Sequence, residues 1–272
     1  MSENCGGNCS SCGEKCEKRD MHIKPHEGSR IGKIIGVVSG KGGVGKTMVT
    51  TMLAVETARR GYKTAILDAD ITGPSVAKAM GLTGRTHGTP DGMYPLVSSA
   101  GIKVISVNML LENETDPVVW RGPIIANVVK QFFSEVLWGD IDYMYVDMPP
   151  GTGDVPLTVY QSIPLDGVVI VSTPQELVGM IVEKAVKMAE LMNIPVLGLV
   201  ENMSYFECPE CGRRYHIFGA SRAEEAAKAA GAPVSAQIPV VSKLSTASDH
   251  GLIELYEGDW LKNLTDSLLC EK

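Results

Sequence analysis

From residue 33 onward, apolar residues fall in short dense runs, separated by longer stretches where they recur every three or four positions. The first run is "KIIGVVS" (33–39). A glycine-rich loop follows, then "KTMVTTMLAVETARRG" (46–61), with Met48, Met52, Leu53, Val55 and Ala58 at helical spacing and Gly61 as the stop. The order is strand, loop, helix. It recurs: "KTAILDAD", "YMYVDMPPG", "GVVIVSTP" and "IPVLGLVENMS" are strand-like, while "QELVGMIVEKAVKMAELMN" and "ASRAEEAAKAAG" are helical. The strand runs are nearly continuous in apolar residues, as strands buried on both faces are. The pattern predicts an α/β fold, with a mostly parallel central sheet covered by helices on both faces. Residues 84–119 fit this rhythm less well and read as a hairpin plus a strand, with a loop around Glu112–Pro117. Residues 1–30 are polar and glycine-dotted, with Pro25 and Gly28 near their end. They are expected to form a flexible cysteine-rich tail ahead of a domain spanning 31–272.

At 272 residues the chain can bury a full α/β core. A net charge of −7 argues against a polyanion-binding surface, so nucleic acid is excluded as the main partner. No apolar run approaches the roughly 20 residues of a membrane helix, and the N-terminus has no apolar secretory segment. A cytoplasmic protein is expected. That setting changes the meaning of the seven cysteines, because clustered thiols in a reducing compartment bind metal more often than they pair. Cys5, Cys9, Cys12 and Cys16 form one cluster, Cys208 and Cys211 a second, and Cys270 stands alone as a bland C-terminal thiol.

The loop "GKGGVGKT" runs Gly40, Lys41, Gly42, Gly43, Val44, Gly45, Lys46, Thr47 and matches G-x-x-x-x-G-K-[ST] between a predicted strand and helix. Its glycines let backbone amides turn onto phosphate oxygens, and the helix N-terminus adds a favourable dipole. Lys46 would meet the β- and γ-phosphates and the Thr47 hydroxyl would hold Mg²⁺. A carboxylate at a neighbouring strand end should complete the metal site. Asp68 and Asp70 in "ILDADITGPS" and Asp147 in "YVDMPPGTGD" are the candidates. Asp147 is assigned to Mg²⁺, largely through its water shell, and Asp70 to the attacking water; Asp68 reads equally well as a capping or loop acid.

"KGGVGKT" with the additional Lys41 resembles the deviant phosphate loop of the MinD-like (SIMIBI) ATPases. Together with "LDADITGPS", "WRGP", "VDMPPGTGD", "STPQE" and "ENMSYFECPECG", in that order over about residues 33–250, the chain resembles the Mrp/nucleotide-binding-protein family of iron–sulfur cluster carrier ATPases. The resemblance implies a homodimer in which Lys41 reaches the partner's nucleotide, so that transition-state charge is met only when the dimer closes. It also implies that Asn202 reads adenine, its amide both donating and accepting, with Pro239 and Val240 flanking the base. A turn residue at a strand end is the plainer account of Asn202.

The second cysteine pair, Cys208-Pro-Glu-Cys211-Gly, offers two thiolates where a closed site needs four. His216 is the nearby soft donor and reads as a surface or packing histidine. The pair is either a redox dithiol or half of a site that a second chain completes. The dimer implied by Lys41, its two-fold symmetry and the family together point to a [4Fe–4S] cluster bridging Cys208 and Cys211 of two chains. Zinc is the rival, since "CPECG" is also a zinc-ribbon turn. The N-terminal C-x3-C-x2-C-x3-C spacing is tight enough for one loop to wrap a second cluster, and it departs from the wider spacing of family members that carry four cysteines there. Metal-free disorder is the alternative. The expected activity is slow ATP hydrolysis coupled to transfer of a labile cluster to apo iron–sulfur acceptor proteins. Two other classes compete. A MinD-type regulator would need an amphipathic C-terminal membrane helix, for which "LIELYEGDWLKNLTDSLLCEK" is acidic and short. A nitrogenase-reductase-like donor would hold its cluster on single cysteines placed elsewhere.

Overall fold

The computed structural model describes residues 22–70, 73, 75–110, 122–175 and 180–269. The first strand, β1 (Arg30–Val38), leads through the glycine loop into α1 (Lys46–Arg59) and β2 (Thr64–Asp68). A short helix α2 (Val76–Ala79) precedes the irregular region that the pattern described poorly. That region holds a small antiparallel hairpin of β3 (Gly88–Thr89) and β4 (Gly92–Met93), then β5 (Leu96–Val97) and β6 (Lys103–Ile105). Next come α3 (Gly122–Ser134), β7 (Asp140–Asp147), α4 (Asp154–Ser162), β8 (Gly167–Ser172), α5 (Met180–Leu191) and β9 (Val196–Asn202). A second hairpin, β10 (Phe206–Glu207) and β11 (Arg214–Tyr215), carries the cysteine pair. The described chain closes with α6 (Ala223–Ala229), β12 (Ser235–Ile238), α7 (Ser242–Asp249) and α8 (Lys262–Leu268).

The main sheet has the order β12-β9-β8-β1-β7-β2-β6-β5. Every pairing in it is parallel except the edge pair β5–β6. The predicted fold is therefore the observed one. Strands β2 and β8 are buried along their whole length, as helices on both faces require. From β1 the chain moves one way to β2, and from β8 it moves the other way to β9 and β12. Right-handed crossovers therefore put α1 on one face and α4, α5 and α6 on the other, and α1 touches α2 and α8 while α3 touches α4. The reversal makes the carboxyl ends of β1, β7 and β2 a topological switch point, the place where such sheets bind ligands.

The expected boundary after residue 30 falls inside ordered structure. Ile23 packs on the core and donates its N–H to the Ser162 carbonyl at 2.8 Å. The Ser29 hydroxyl accepts from the Trp138 N–H at 2.8 Å and donates to the Val136 carbonyl at 3.3 Å. Ile23 is one apolar residue in polar surroundings, too sparse a signal for periodicity to register. Cys5, Cys9, Cys12, Cys16 and Cys270 lie outside the described residues, as do 111–121 and 176–179. No helix among the described residues is long and apolar enough to cross a membrane.

Candidate functional site

The glycine loop lies between the end of β1 and α1. Gly43 and Gly45 have φ of 83° and 82°, the left-handed region that a side chain resists. Gly45 caps α1, and the Val44 side chain turns inward, 1% exposed, against the core. A cleft of about 460 Å³ opens above the loop, lined among others by Gly42, Gly45, Lys46, Thr47, Asp70 and Pro150, a size suited to a small-molecule ligand. Gly151, after Asp147, donates its N–H to the Ser39 carbonyl at 2.9 Å, so the turn following β7 rests on the start of the glycine loop.

The ionic centre forms where β1, β2 and β7 end. Strand register places Asp68 beside Asp147. Lys46 Nζ lies 2.6 Å from Asp147 Oδ1 and 3.4 Å from Asp70 Oδ2. Burial alone would push the Lys46 ammonium down; Asp147 and then Asp70 outweigh that and hold it above the ordinary lysine value. The Thr47 hydroxyl donates to Asp147 Oδ2 at 2.6 Å and the Thr50 hydroxyl to Oδ1 at 3.0 Å. Asp147 is fully buried, so this carboxylate is matched by an ammonium and two hydroxyls. Asp68 is also buried, accepting from the Ser106 hydroxyl at 2.9 Å and the Asp70 N–H at 3.1 Å. Burial first, and the Asp147 charge second, push its carboxyl well above the usual range. Two adjacent buried carboxyls disfavour charge on one another, which adds to the cost of burial.

Of the residues expected in the nucleotide site, the fold thus brings together Lys46, Thr47, Asp70 and Asp147. Lys41 is exposed, its carbonyl accepting from the Ser39 hydroxyl at 2.9 Å. Asn202 lies buried at the end of β9, against the glycine loop. It is 1% exposed, its amide Nδ2 donates to the Val44 carbonyl at 2.8 Å, and its Oδ1 accepts from the Met203 N–H at 2.9 Å. Neither Asn202 nor Pro239 and Val240 line the cleft. Thr50 and Ser106 were not singled out by sequence reasoning. Thr50 sits one helical turn after Lys46, a spacing that could have exposed it; Ser106 carries no such signal.

The second centre is the β10–β11 hairpin. Cys208 accepts at its carbonyl from the Gly212 N–H (2.8 Å) and donates its own N–H to the Arg213 carbonyl (3.0 Å), closing a tight knuckle with Gly212 at φ 68°. The N–H groups of Glu210 and Cys211, with the Cys211 thiol, hold the Cys208 thiol below the ordinary cysteine value, and the thiolate is the form that binds metal. Among the described residues no cluster of three or more metal-type side chains exists, so the knuckle offers two sulfurs. His216 bonds to the Ser204 carbonyl at 3.3 Å and packs edge-on to Tyr205, as a packing histidine does. Around the knuckle Phe206, Tyr215, Ile217 and Phe218 are exposed.

Comparison with known proteins agrees with this assembly. The ParA family model described as NUBPL iron-transfer P-loop NTPase matches residues 30–265. A Clostridium perfringens protein named iron-sulfur cluster carrier protein is 43% identical over 269 residues, covering 92% of this chain and 94% of that protein. The mouse iron-sulfur cluster transfer protein NUBPL is 44% identical over 230 residues, covering 84% of this chain and 71% of its own. The solved structure of an Archaeoglobus fulgidus nucleotide-binding protein in complex with ADP superposes with a TM-score of 0.78 at 46% identity, covering 85% of this chain and 91% of that one. The Pyrococcus furiosus cell division ATPase MinD shares the fold at a TM-score of 0.61 and 20% identity, covering 87% and 98%. With the family match spanning the whole described sheet, the chain belongs to the NUBPL iron-transfer P-loop NTPases.

Proposed function

We propose that this protein is an ATP-binding iron–sulfur scaffold and carrier, in which two chains hold a labile [4Fe–4S] cluster on four thiolates, Cys208 and Cys211 from each, and hand it to apo-proteins. The observation that carries this reading is a two-sulfur knuckle, Cys208 half-buried and Cys211 exposed, set among exposed apolar side chains on the same domain as a complete phosphate loop. Two sulfurs are half of a four-thiolate site, and exposed apolar residues around them suit a buried contact with a second copy.

At the nucleotide site, the amides of Gly42–Gly45 and the Lys46 ammonium bind phosphate. Thr47 and Asp147 form a hard-oxygen pair of the kind Mg²⁺ takes, and the ion neutralises phosphate charge when bound. As phosphate arrives, Lys46 exchanges a carboxylate partner for phosphate oxygen. Asp70, near the Lys46 ammonium, orients the attacking water. Exposed Lys41 extends to the partner's nucleotide, so hydrolysis is slow until the dimer closes and changes geometry around the shared cluster. The N-terminal cysteines form a second four-thiolate site.

Anaerobic reconstitution with iron and sulfide, followed by iron, sulfide and zinc analysis and light scattering, tests the reading. Wild type should carry a cluster as a dimer. Cys208→Ser/Cys211→Ser should lose that cluster and its transfer to an apo-acceptor while still binding nucleotide. Zinc without sulfide at the knuckle, or a monomer holding full iron there, would sink it.

A further inference from the structure

Asn202 occupies a position that joins the two centres. It ends β9, 158 residues in sequence from Val44, yet its amide donates to the Val44 carbonyl in the middle of the glycine loop. A Cβ at Gly45 would overlap Asn202 Nδ2 inside 3.0 Å. Side chain and loop therefore fit without slack. Six residues after Asn202 comes Cys208.

The intervening chain is braced at each step. Met203 holds φ at 56°, a left-handed conformation rare for a non-glycine residue, with its N–H on Asn202 Oδ1. The Ser204 N–H donates to the Ile238 carbonyl at 2.9 Å and its hydroxyl to Glu201, a fully buried carboxylate. Val240 donates its N–H to the Tyr205 carbonyl at 2.7 Å. The hairpin root is then clamped by side chains: His216 on the Ser204 carbonyl, and the Arg214 guanidinium 4.5 Å from the Tyr205 ring centroid. The buried part of this network, Glu201, Asn202, Ser204 and Tyr205, is paired at each step and moves as a unit or breaks. If phosphate binding shifts the glycine loop, the Val44 carbonyl carries Asn202 with it, and the strained turn passes that shift to the knuckle.

We propose that Asn202 is a positioning residue for the cysteine hairpin: it transmits occupancy of the phosphate loop to Cys208 and Cys211 through the Met203–Tyr205 turn. This rests on the carrier reading for its biological meaning, but its test needs no cluster. Hydrogen exchange of the metal-free full-length protein is followed in the β10–β11 hairpin, without nucleotide and at saturating Mg·ADP. In wild type, Mg·ADP should change hairpin exchange by about fivefold or more, the factor of one net hydrogen bond, while in Asn202→Ala the change should fall below about twofold. His216→Ala loosens the hairpin root without touching the phosphate loop. It should bind Mg·ADP as wild type does and lose the same response. A merely structural Asn202 would alter exchange equally with and without nucleotide. Full nucleotide response in Asn202→Ala, or none in wild type that binds Mg·ADP, would overturn the relay and leave the carrier reading standing. Wild type that fails to bind Mg·ADP would sink both. A responsive knuckle that takes up no iron would sink the carrier reading alone.

Discussion

Three glycines of one loop provide a graded test of its geometry. At Gly42 an added Cβ meets nothing within 4 Å, and the backbone is not in the left-handed region. At Gly43 the space is also open but φ is +83°; at Gly45 φ is +82° and the Cβ collides with the Asn202 amide. Gly42→Ala should therefore be near neutral for stability, within about 0.5 kcal/mol. Gly43→Ala adds only left-handed strain, about 1–2 kcal/mol. Gly45→Ala adds the same strain and expels a buried amide from its partners, together about 2–5 kcal/mol. For a domain of this size each kcal/mol moves the melting temperature by about 2–4 °C, so the three variants should spread over about 0–2, 2–8 and 4–20 °C. Thermal unfolding followed by circular dichroism, without nucleotide, reads the series directly. The order is the prediction. If Gly45→Ala melts with Gly42→Ala, Asn202 does not hold the loop as described.

Other sites give sharper contrasts. Lys46→Ala should abolish productive ATP binding, whereas Lys41→Ala should bind ATP and hydrolyse it more slowly; equal turnover by the Lys41 variant and wild type would remove the cross-dimer role. Asp68 is raised in the folded state, so the folded chain binds its proton more tightly, and stability is lost as pH rises from the ordinary value of 3.8 through the raised folded value. Asp68→Asn removes that loss, and its stability advantage over wild type, measured by urea unfolding, should grow across this window and then level off. A pH-independent difference would place the charge elsewhere. Removing residues 1–21 should lower iron per chain after reconstitution with the melting temperature unchanged, while removing 1–29 should also lower melting, because the Ile23 packing and the Ser29 hydrogen bonds are lost. Unchanged iron in the shorter truncation would return the tail to plain disorder.

The parts legible in the sequence share one property: their signal is local. The β1 run, the glycine loop and α1 are contiguous, and a motif confined to eight residues in its strand–helix setting announces a phosphate site without any knowledge of sheet order. Strands β7, β8 and β9 are dense enough in apolar residues to stand out singly. What was not legible depends on strand order. Asp68 stayed open between a metal-site carboxylate and a capping or loop acid because nothing near it in sequence reveals that β2 lies beside β7, setting it against Asp147. Ser106 becomes its partner only because β6 lies on the far side of β2. The hairpin expected within 84–119 is present as β3–β4, but its bounds were not legible because two-residue strands are too short to alternate.

Asn202 shows how the same limit acts on function. An amide at a strand end can read a base, cap a turn or brace a loop, and its donor and acceptor serve all three. The contact with Val44 exists only because β8 and then β1 lie next to β9. Gly45 carries the complementary half of that contact, and in the sequence it looks like any other glycine of the motif. Two requirements fall on one residue: a left-handed turn for phosphate, and no Cβ where Asn202 enters. The motif explains the first. Only the sheet explains the second, and it is the second that joins the glycine loop to the end of β9.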